Sequence, residues 1–380
     1  MSLQFCVSQQ INTSAYTFKT TGIRVYTFEE VLYHVFHHWR ESLDEFLSDG
    51  MIAWVAELGH SYLAAKMKEL TNKEPFAAKI LDFLRLANYF SEESLAELSQ
   101  TLTAWETRRE WEKLKERGDY FAAKNEPLKA IPLYKRALAF EENPALLNNL
   151  GIQYMRTAAH DDATRCLTRA LSLAPKDFDI LLHYIEAAIL NGSFEKAAKA
   201  LKKAKKPDRA EILFLTGLMA HEQKDYPAAL AHYEKAIQTD SSVFFYVSKA
   251  VDIHLLMRQY EKALETLRQT TQQDYSFHAK EAEIYAAWGN IPRAVKAMKQ
   301  AVSQEEDPVL YAKLAAYHRQ DYEPRMAEAA IQKALAIAPE NDIARLENAR
   351  IKKALGRTRE YQGALTEILR SFKDEYVNAL

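Results

Sequence analysis

Three histidines, His34, His37 and His38, fall within five positions of the stretch YHVFHHWRE. Imidazoles one helical turn apart, followed a turn later by a carboxylate such as Glu41 or Glu45, have the spacing of a zinc or nickel site. What they do depends on the helix that carries them. Thr27 followed by Glu30 has the spacing of a capping box and opens a helix at that point. At about 100° per residue, Leu32, Val35, Phe36, Trp39, Leu43, Phe46 and Leu47 share one face of that helix. His34, His38, Glu41 and Glu45 then lie opposite the apolar stripe, and His37 lies to its side. On this wheel the histidines are solvated and form weak surface pairs, His34 with Glu41 and His38 with Glu45. A metal needs a shell that orients its ligands, and this face offers none. The sequence therefore predicts no metal and no cofactor here, and a metal-dependent enzyme using His34 and His38 ranks last among the function readings.

Other catalytic constellations are missing from the sequence. It has no G-x-x-x-x-G-K-[ST], no G-x-G-x-x-G after a strand, no H-E-x-x-H and no G-x-S-x-G. HEQKD at His221 is not a zincin motif. Cys166 sits beside Leu167 in an apolar pattern, where a small buried thiol is the ordinary role. Catalysis is not expected.

With 10 Gly and 11 Pro in 380 residues, chain breakers are few, which suits long helices better than hairpins. Lys and Arg number 50 against 52 Asp and Glu, a net charge of −2, so the chain as a whole is no polycation for nucleic acid or anionic lipid. Cys6 and Cys166 are far apart and form neither a disulfide framework nor a zinc motif, which points to a reducing, cytoplasmic setting. The N-terminus lacks a basic region followed by an apolar one, and no run of 18 apolar residues occurs, so neither secretion nor membrane insertion is expected.

From about residue 111 a motif recurs. EPLKAIPLYKRAL, HDDATRCLTRALSLAP, SFEKAAKALKKA, DYPAALAHYEKAI, QYEKALETLRQT, NIPRAVKAMKQAV and RMAEAAIQKALAIAP each begin a second helix. Their first alanines are Ala130, Ala163, Ala197, Ala229, Ala263, Ala294 and Ala327, spaced by 31 to 34 residues. Within the motif the order is small-x3-large-x2-small, as in Ala130/Tyr134/Ala137, Ala163/Leu167/Ala170, Ala197/Leu201/Ala204 and Ala229/Tyr233/Ala236. The helix upstream carries Leu147/Leu150/Gly151/Tyr154 or Leu213/Gly217. Small residues let paired helices approach to about 8–10 Å, and the large residue fills the gap between them. Pro144, Pro175, Pro308 and Pro339 fall at repeat junctions, where a missing amide hydrogen costs least.

This pattern resembles the tetratricopeptide repeat family, a helix-turn-helix repeat of 34 residues. The resemblance implies an all-α fold: a right-handed superhelical solenoid of seven to eight helix pairs, preceded by a small helical N-terminal domain. The boundaries follow as 1–110 for the N-terminal domain, 111–341 for seven repeats, and 342–380 for a degenerate eighth repeat and cap. In the N-terminal part TFKTTGIRVYT suggests short strands, and helices are expected at about 49–58, 61–71, 75–89 and 91–117, the last led by Ser91 and running into the first repeat. Tyr26, Thr27, Glu29, Glu30, then Trp54, Val55, Glu57, Leu58 and Gly59 make this region similar to that of uncharacterised bacterial tetratricopeptide proteins.

The family lines its inner wall with positions near two, five, nine and twelve of each first helix. Carried onto this sequence, these give the candidate partner-binding residues Asn148, Ile152, Met155, Leu182, Glu186, Ile189, Phe214, Leu218, His221, Ser248, Asp252 and Leu255, with Lys115 and Asp119 ahead of them. The middle of that set is apolar, and a patch of that kind is ordinarily covered by a partner. A helix or an extended peptide suits such a groove. A subclass that grips chaperone C-terminal carboxylates uses lysines, asparagines and an arginine; Lys115 and Asn149 match it, but Asp119, Asp179 and His183 do not, and carboxylates repel a carboxylate. The lysine run Lys199, Lys202, Lys203, Lys205 and Lys206, followed by Arg209, has no aromatic residues interleaved as stacking platforms and reads as a solvated helix surface.

The expected function is thus a non-enzymatic scaffold or adaptor that binds a protein or peptide, with no nucleic acid and no membrane. A second reading is a peptide-sensing regulator acting through protein contact. Residues 1–110 hold 10 Lys and Arg against 15 Asp and Glu, which argues against a DNA-reading head.

Overall fold

The computed structural model describes residues 15–20, 23–43, 45–204, 207–339 and 341–379, with side chains as far as Leu369. Cys6, Lys205 and Lys206 lie outside the described residues. The chain divides into two compact units, Met1–His183 and Tyr184–Leu380.

The first unit opens with a two-stranded antiparallel ribbon, Tyr16–Thr17 against Arg24–Val25, with Tyr16 opposite Val25. The capping box forms as the spacing predicts: Thr27 accepts from the Glu30 amide and Glu30 accepts from the Thr27 amide. The helix it opens is shorter than the apolar stripe implies. It spans Phe28–His37, breaks at His38 (φ −126°, ψ 35°), and resumes as Trp39–Ser42. Helices Asp49–Glu57, Ser61–Leu70, Phe76–Arg85 and Glu92–Glu106 follow. Ser91 caps the last of these by accepting from the Ser94 amide. That helix does not run into the repeats as the sequence suggested: it stops at Glu106, and a new helix starts at Glu110, where Glu112 accepts from the Arg109 amide. Phe18, Phe28, Leu32, Met51, Phe83 and Leu102 form the centre of one apolar core, crossed by edge-to-face rings such as Trp39 on Trp105 and Phe46 on Phe83.

Consecutive antiparallel helix pairs make up the rest. The first is Glu110–Ala123 with Pro127–Phe140, the second Pro144–Arg156 with His160–Leu173, and the third Phe178–Leu190 with Phe194–Lys203. Then come Ala210–Glu222 with Tyr226–Thr239, Phe244–Leu256 with Tyr260–Leu267, and Tyr275–Ala287 with Ile291–Gln304. Pro308–Gln320 with Pro324–Ile337 is the seventh pair and Asp342–Ala354 with Thr358–Ala379 the eighth. Pro144 and Pro308 occupy the first turn of their helices, where a missing amide donor costs nothing because it has no partner within the helix.

Packing inside a pair explains the small-large-small motif. Ala130, Tyr134 and Ala137 are 0–1% exposed, as are Ala163, Leu167 and Ala170. In the first, second and fourth pairs the large middle residue lies on a glycine of the facing helix. A Cβ added at Gly118 would stand 2.7 Å from the Tyr134 ring, at Gly151 2.6 Å from Leu167, and at Gly217 2.6 Å from Tyr233. In these three pairs a large side chain thus fits into a place kept free by a missing one.

Candidate partner-binding surface

His34 occupies an interior position that the helical wheel did not predict, whereas His37 is exposed and His38 half-buried. His34 is 2% exposed, with its ring 3.8 Å from Phe18 and 5.0 Å from His38. Glu41 is also buried and accepts from His38 Nδ1 at 2.8 Å and from Lys124 Nζ at 2.7 Å. The solvated-face reading is therefore corrected for His34 and Glu41. The break at His38 throws the following turn off the wheel, and the ribbon carrying Phe18 covers the face that the wheel left open. Burial of the Glu41 carboxyl by itself raises its pKa, yet hydrogen bonds from His38, Lys124 and Tyr120 outweigh that and hold it at about 2. Burial, then the charge of His38, pushes His34 down to about 4. Lys124 on Glu41 and Arg40 on Glu116 Oε1 at 2.9–3.0 Å tie these residues to the first repeat helix, so the cluster is built as a joint. Among the described residues no group of three or more His, Cys, Asp or Glu is placed to hold a metal ion.

In the first unit the inner-wall candidates Asn148, Ile152, Met155 and Leu182 are all half-buried. Asn148 Oδ1 lies 2.9 Å from His183 Nδ1. Asp119 organises the first pair: one carboxylate oxygen takes the Tyr134 hydroxyl at 2.8 Å and the Asn149 amide at 2.9 Å, and the other takes Lys115 at 2.6 Å. Lys115 and Asn149, the two residues that match a carboxylate clamp, are thus engaged by a carboxylate of the chain itself.

In the second unit the candidates separate into two groups. Ile189, Phe214 and Leu218 are core residues, 1%, 5% and 4% exposed. Phe214 stacks on Tyr233 at 5.3 Å and on Tyr246 at 5.0 Å. Glu186, His221, Ser248, Asp252 and Leu255 are half-buried and reach the surface. Burial raises the Glu186 carboxyl, with Lys249 opposing. The structure adds residues that the sequence reading omitted. Phe245, 50% exposed, lies 5.2 Å from the Phe214 ring, and Lys249 Nζ stands 5.4 Å above it. Lys280, nearly covered, bridges Asp252 at 2.8 Å and Glu283 at 2.9 Å. Burial pulls the Lys280 ammonium down, but those two carboxylates prevail and its pKa is raised. Glu283 occupies position nine of the sixth pair, so extending the wall register by one repeat would have found it.

The lysine run is partly described: Lys199, Lys202 and Lys203 are exposed, and Arg209 pairs with Glu211 at 2.7 Å. Cys166 is half-buried and free, and burial raises its thiol pKa. No helix among the described residues is long and apolar enough to cross a membrane.

Paired helices with small residues at their contacts define a helical solenoid of tandem repeats. Residues 148–209 and 198–243 match the tetratricopeptide repeat family, so that stretch carries repeats of this kind. Its structure is similar to that of a tetratricopeptide repeat protein from Parabacteroides merdae, at 21% identity, 64% of this chain and 98% of that chain covered, and a TM-score of 0.43. It is also similar to PilF of Pseudomonas aeruginosa, at 14% identity, 53% and 97% covered, TM-score 0.42. A thermophilic repeat protein of Thermus thermophilus gives 21% identity, 56% and 98% covered, TM-score 0.33. No curated protein matches the sequence.

Proposed function

We propose that the protein is a non-enzymatic scaffold whose first-helix wall binds a protein or peptide segment, and that it works in the cytoplasm of a bacterium. Tetratricopeptide repeats are protein-interaction modules. One observation carries the reading furthest. In the second unit a half-exposed Phe245 stands over the buried Phe214, beside Ser248, Asp252 and the Lys280 bridge. An apolar ring held open next to fixed donors and acceptors suits a segment that buries one side chain and hydrogen-bonds along its backbone. The binding set on this reading is Glu186, His221, Ser248, Asp252 and Leu255 in the second unit, and Asn148, Ile152, Met155 and Leu182 in the first. Ile189, Phe214 and Leu218 act as the floor beneath it.

Because Phe214 is core, a charge placed there tests folding rather than binding. Ser248→Arg fills the wall without entering the core and is the sharper probe. It should abolish capture of the partner from host lysate with an unchanged melting temperature, whereas Glu195→Arg, on an exposed second helix, should leave capture intact. Capture that survives Ser248→Arg and Phe245→Ala alike rejects this wall as the binding surface.

A further inference from the structure

We propose that a groove on the outer side of pairs six and seven, along helix Ile291–Gln304, binds an acidic amphipathic helix of a partner protein. This is a second surface, distinct from the first-helix wall.

Three depressions of about 340, 430 and 210 Å³ follow one another along this helix, the first two sharing Lys299 and Ser303 and the last two Lys296 and Gln300. The helix has 14 residues, so the run is about 21 Å long, enough for four turns of a docked helix. Arg293, Lys296 and Lys299 recur every third residue, which sets them in a row on the surface. Lys333 of the seventh pair faces them across the groove. All four cations are exposed, and among the described residues none of them lies in an ion pair. Arg293 and Lys333 instead lie over aromatic rings, 5.6 Å from Tyr285 and 5.5 Å from Tyr311. Glu281 is the one carboxylate lining the depressions, and it stands 3.8 Å from His278 Nδ1.

Four cations against the single lining carboxylate Glu281 leave the groove net positive, and a partner carboxylate relieves that excess. Between them the floor is apolar: Val302, Leu314, Ala330 and a half-exposed Met326 line the largest share of one depression. Carboxylates alone leave that floor wet, so the partner needs leucine-like side chains on the adjoining face. Glutamates at three- and four-residue spacing beside an apolar stripe satisfy both demands, and a helix is the element that presents them so. Nucleic acid fits less well. Tyr311 is 7% exposed and lies under Lys333, so it offers no open face for base stacking.

The test uses the full chain and fluorescence anisotropy with three labelled probes: an amphipathic helix of glutamates and leucines, a glutamate-only peptide of equal length, and oligothymidylate. The Glu/Leu helix should bind tightest and lose affinity at high ionic strength. Lys296→Glu with Lys299→Glu should weaken it by about tenfold or more, and Met326→Gln by about threefold. Ser248→Arg should leave it unchanged. If the double variant fails to fold, judged by its melting curve, Lys333→Glu takes its place. Unchanged affinity in these charge variants overturns the proposal. So does equal binding of the glutamate-only peptide, which marks a bare polyelectrolyte effect, or tighter binding of oligothymidylate.

Discussion

His34 shows how one side chain couples the fold to pH. Its imidazole titrates ordinarily at 6.5 and in the folded protein at about 4. The unfolded chain therefore takes up a proton at a pH where the folded chain does not. The stability this group supports is complete above pH 6.5 and is lost as pH falls towards 4. The expected loss between about pH 7 and about pH 5 is on the order of 2 kcal/mol. His34→Phe keeps the ring against Phe18 and should remove that loss, as read by urea unfolding at the two pH values; equal pH dependence in variant and parent refutes the assignment. Glu41 acts lower on the scale. Its carboxyl is held at about 2, so its contribution is present above the ordinary carboxylate range and lost as pH falls through that range towards 2. A second residue-scale contrast lies between two tyrosines at the same motif position. The Tyr134 hydroxyl donates to Asp119, while the Tyr233 hydroxyl is buried and has no hydrogen-bond partner among the described residues. Tyr134→Phe strands part of the Asp119 network and should cost about 1–2 kcal/mol, whereas Tyr233→Phe should cost less. Equal losses in denaturant melts would contradict this.

Pair geometry is the matter at the scale of elements. The glycines at the contact set how near two helices lie. Gly217→Ala places a methyl 2.6 Å from the Tyr233 ring and 3.1 Å from the Ala229 carbonyl oxygen, so the ring or the backbone must yield. The expected destabilisation is about 1–3 kcal/mol, read from urea unfolding. Gly363→Ala has nothing within 4 Å of the new carbon and serves as the control. These contacts were legible in the repeating alanines and in Gly151 and Gly217, because side-chain size at a fixed interval records the closeness of two axes. The first joint was not legible. Helical periodicity continues across residues 32–47 without marking the break at His38, and the stretch led by Ser91 does not mark its stop at Glu106. Both are settled by contacts distant in sequence, such as Glu45 accepting from the Thr20 amide at 2.8 Å and Glu106 from the Phe76 amide at 2.7 Å.

In a molecule built of tandem pairs, each element is stabilised by its neighbours, and end pairs matter more than their sequences suggest. The eighth pair departs from the motif yet lends Ala344 and Ile351 to the core that holds Ile331 and Ala334. Glu347, 3% exposed, receives Arg319 of the seventh pair at 2.6 Å. Ending the chain after Ala338 uncovers that apolar face, and the truncated protein should melt lower and scatter light on warming. A truncated chain with an unchanged melting temperature would show that the eighth pair is dispensable.

The repeat interval, the small-large-small order and the junction prolines were readable without coordinates, since packing between adjacent helices depends on side-chain size and on local backbone chemistry. The same reasoning named the residues of the first-helix wall by register. It did not divide them into floor and rim: Phe214 and Leu218 sit one turn apart and look alike in sequence to an open apolar patch, but rings from Tyr233 and Tyr246 close over Phe214. Nor did register bury His34, place Lys280 between two acids, or gather the outer lysines of two pairs around one groove. Each of these joins groups from elements that only the tertiary fold brings together, and burial is a property of the neighbours a side chain meets rather than of the helix on which it rides.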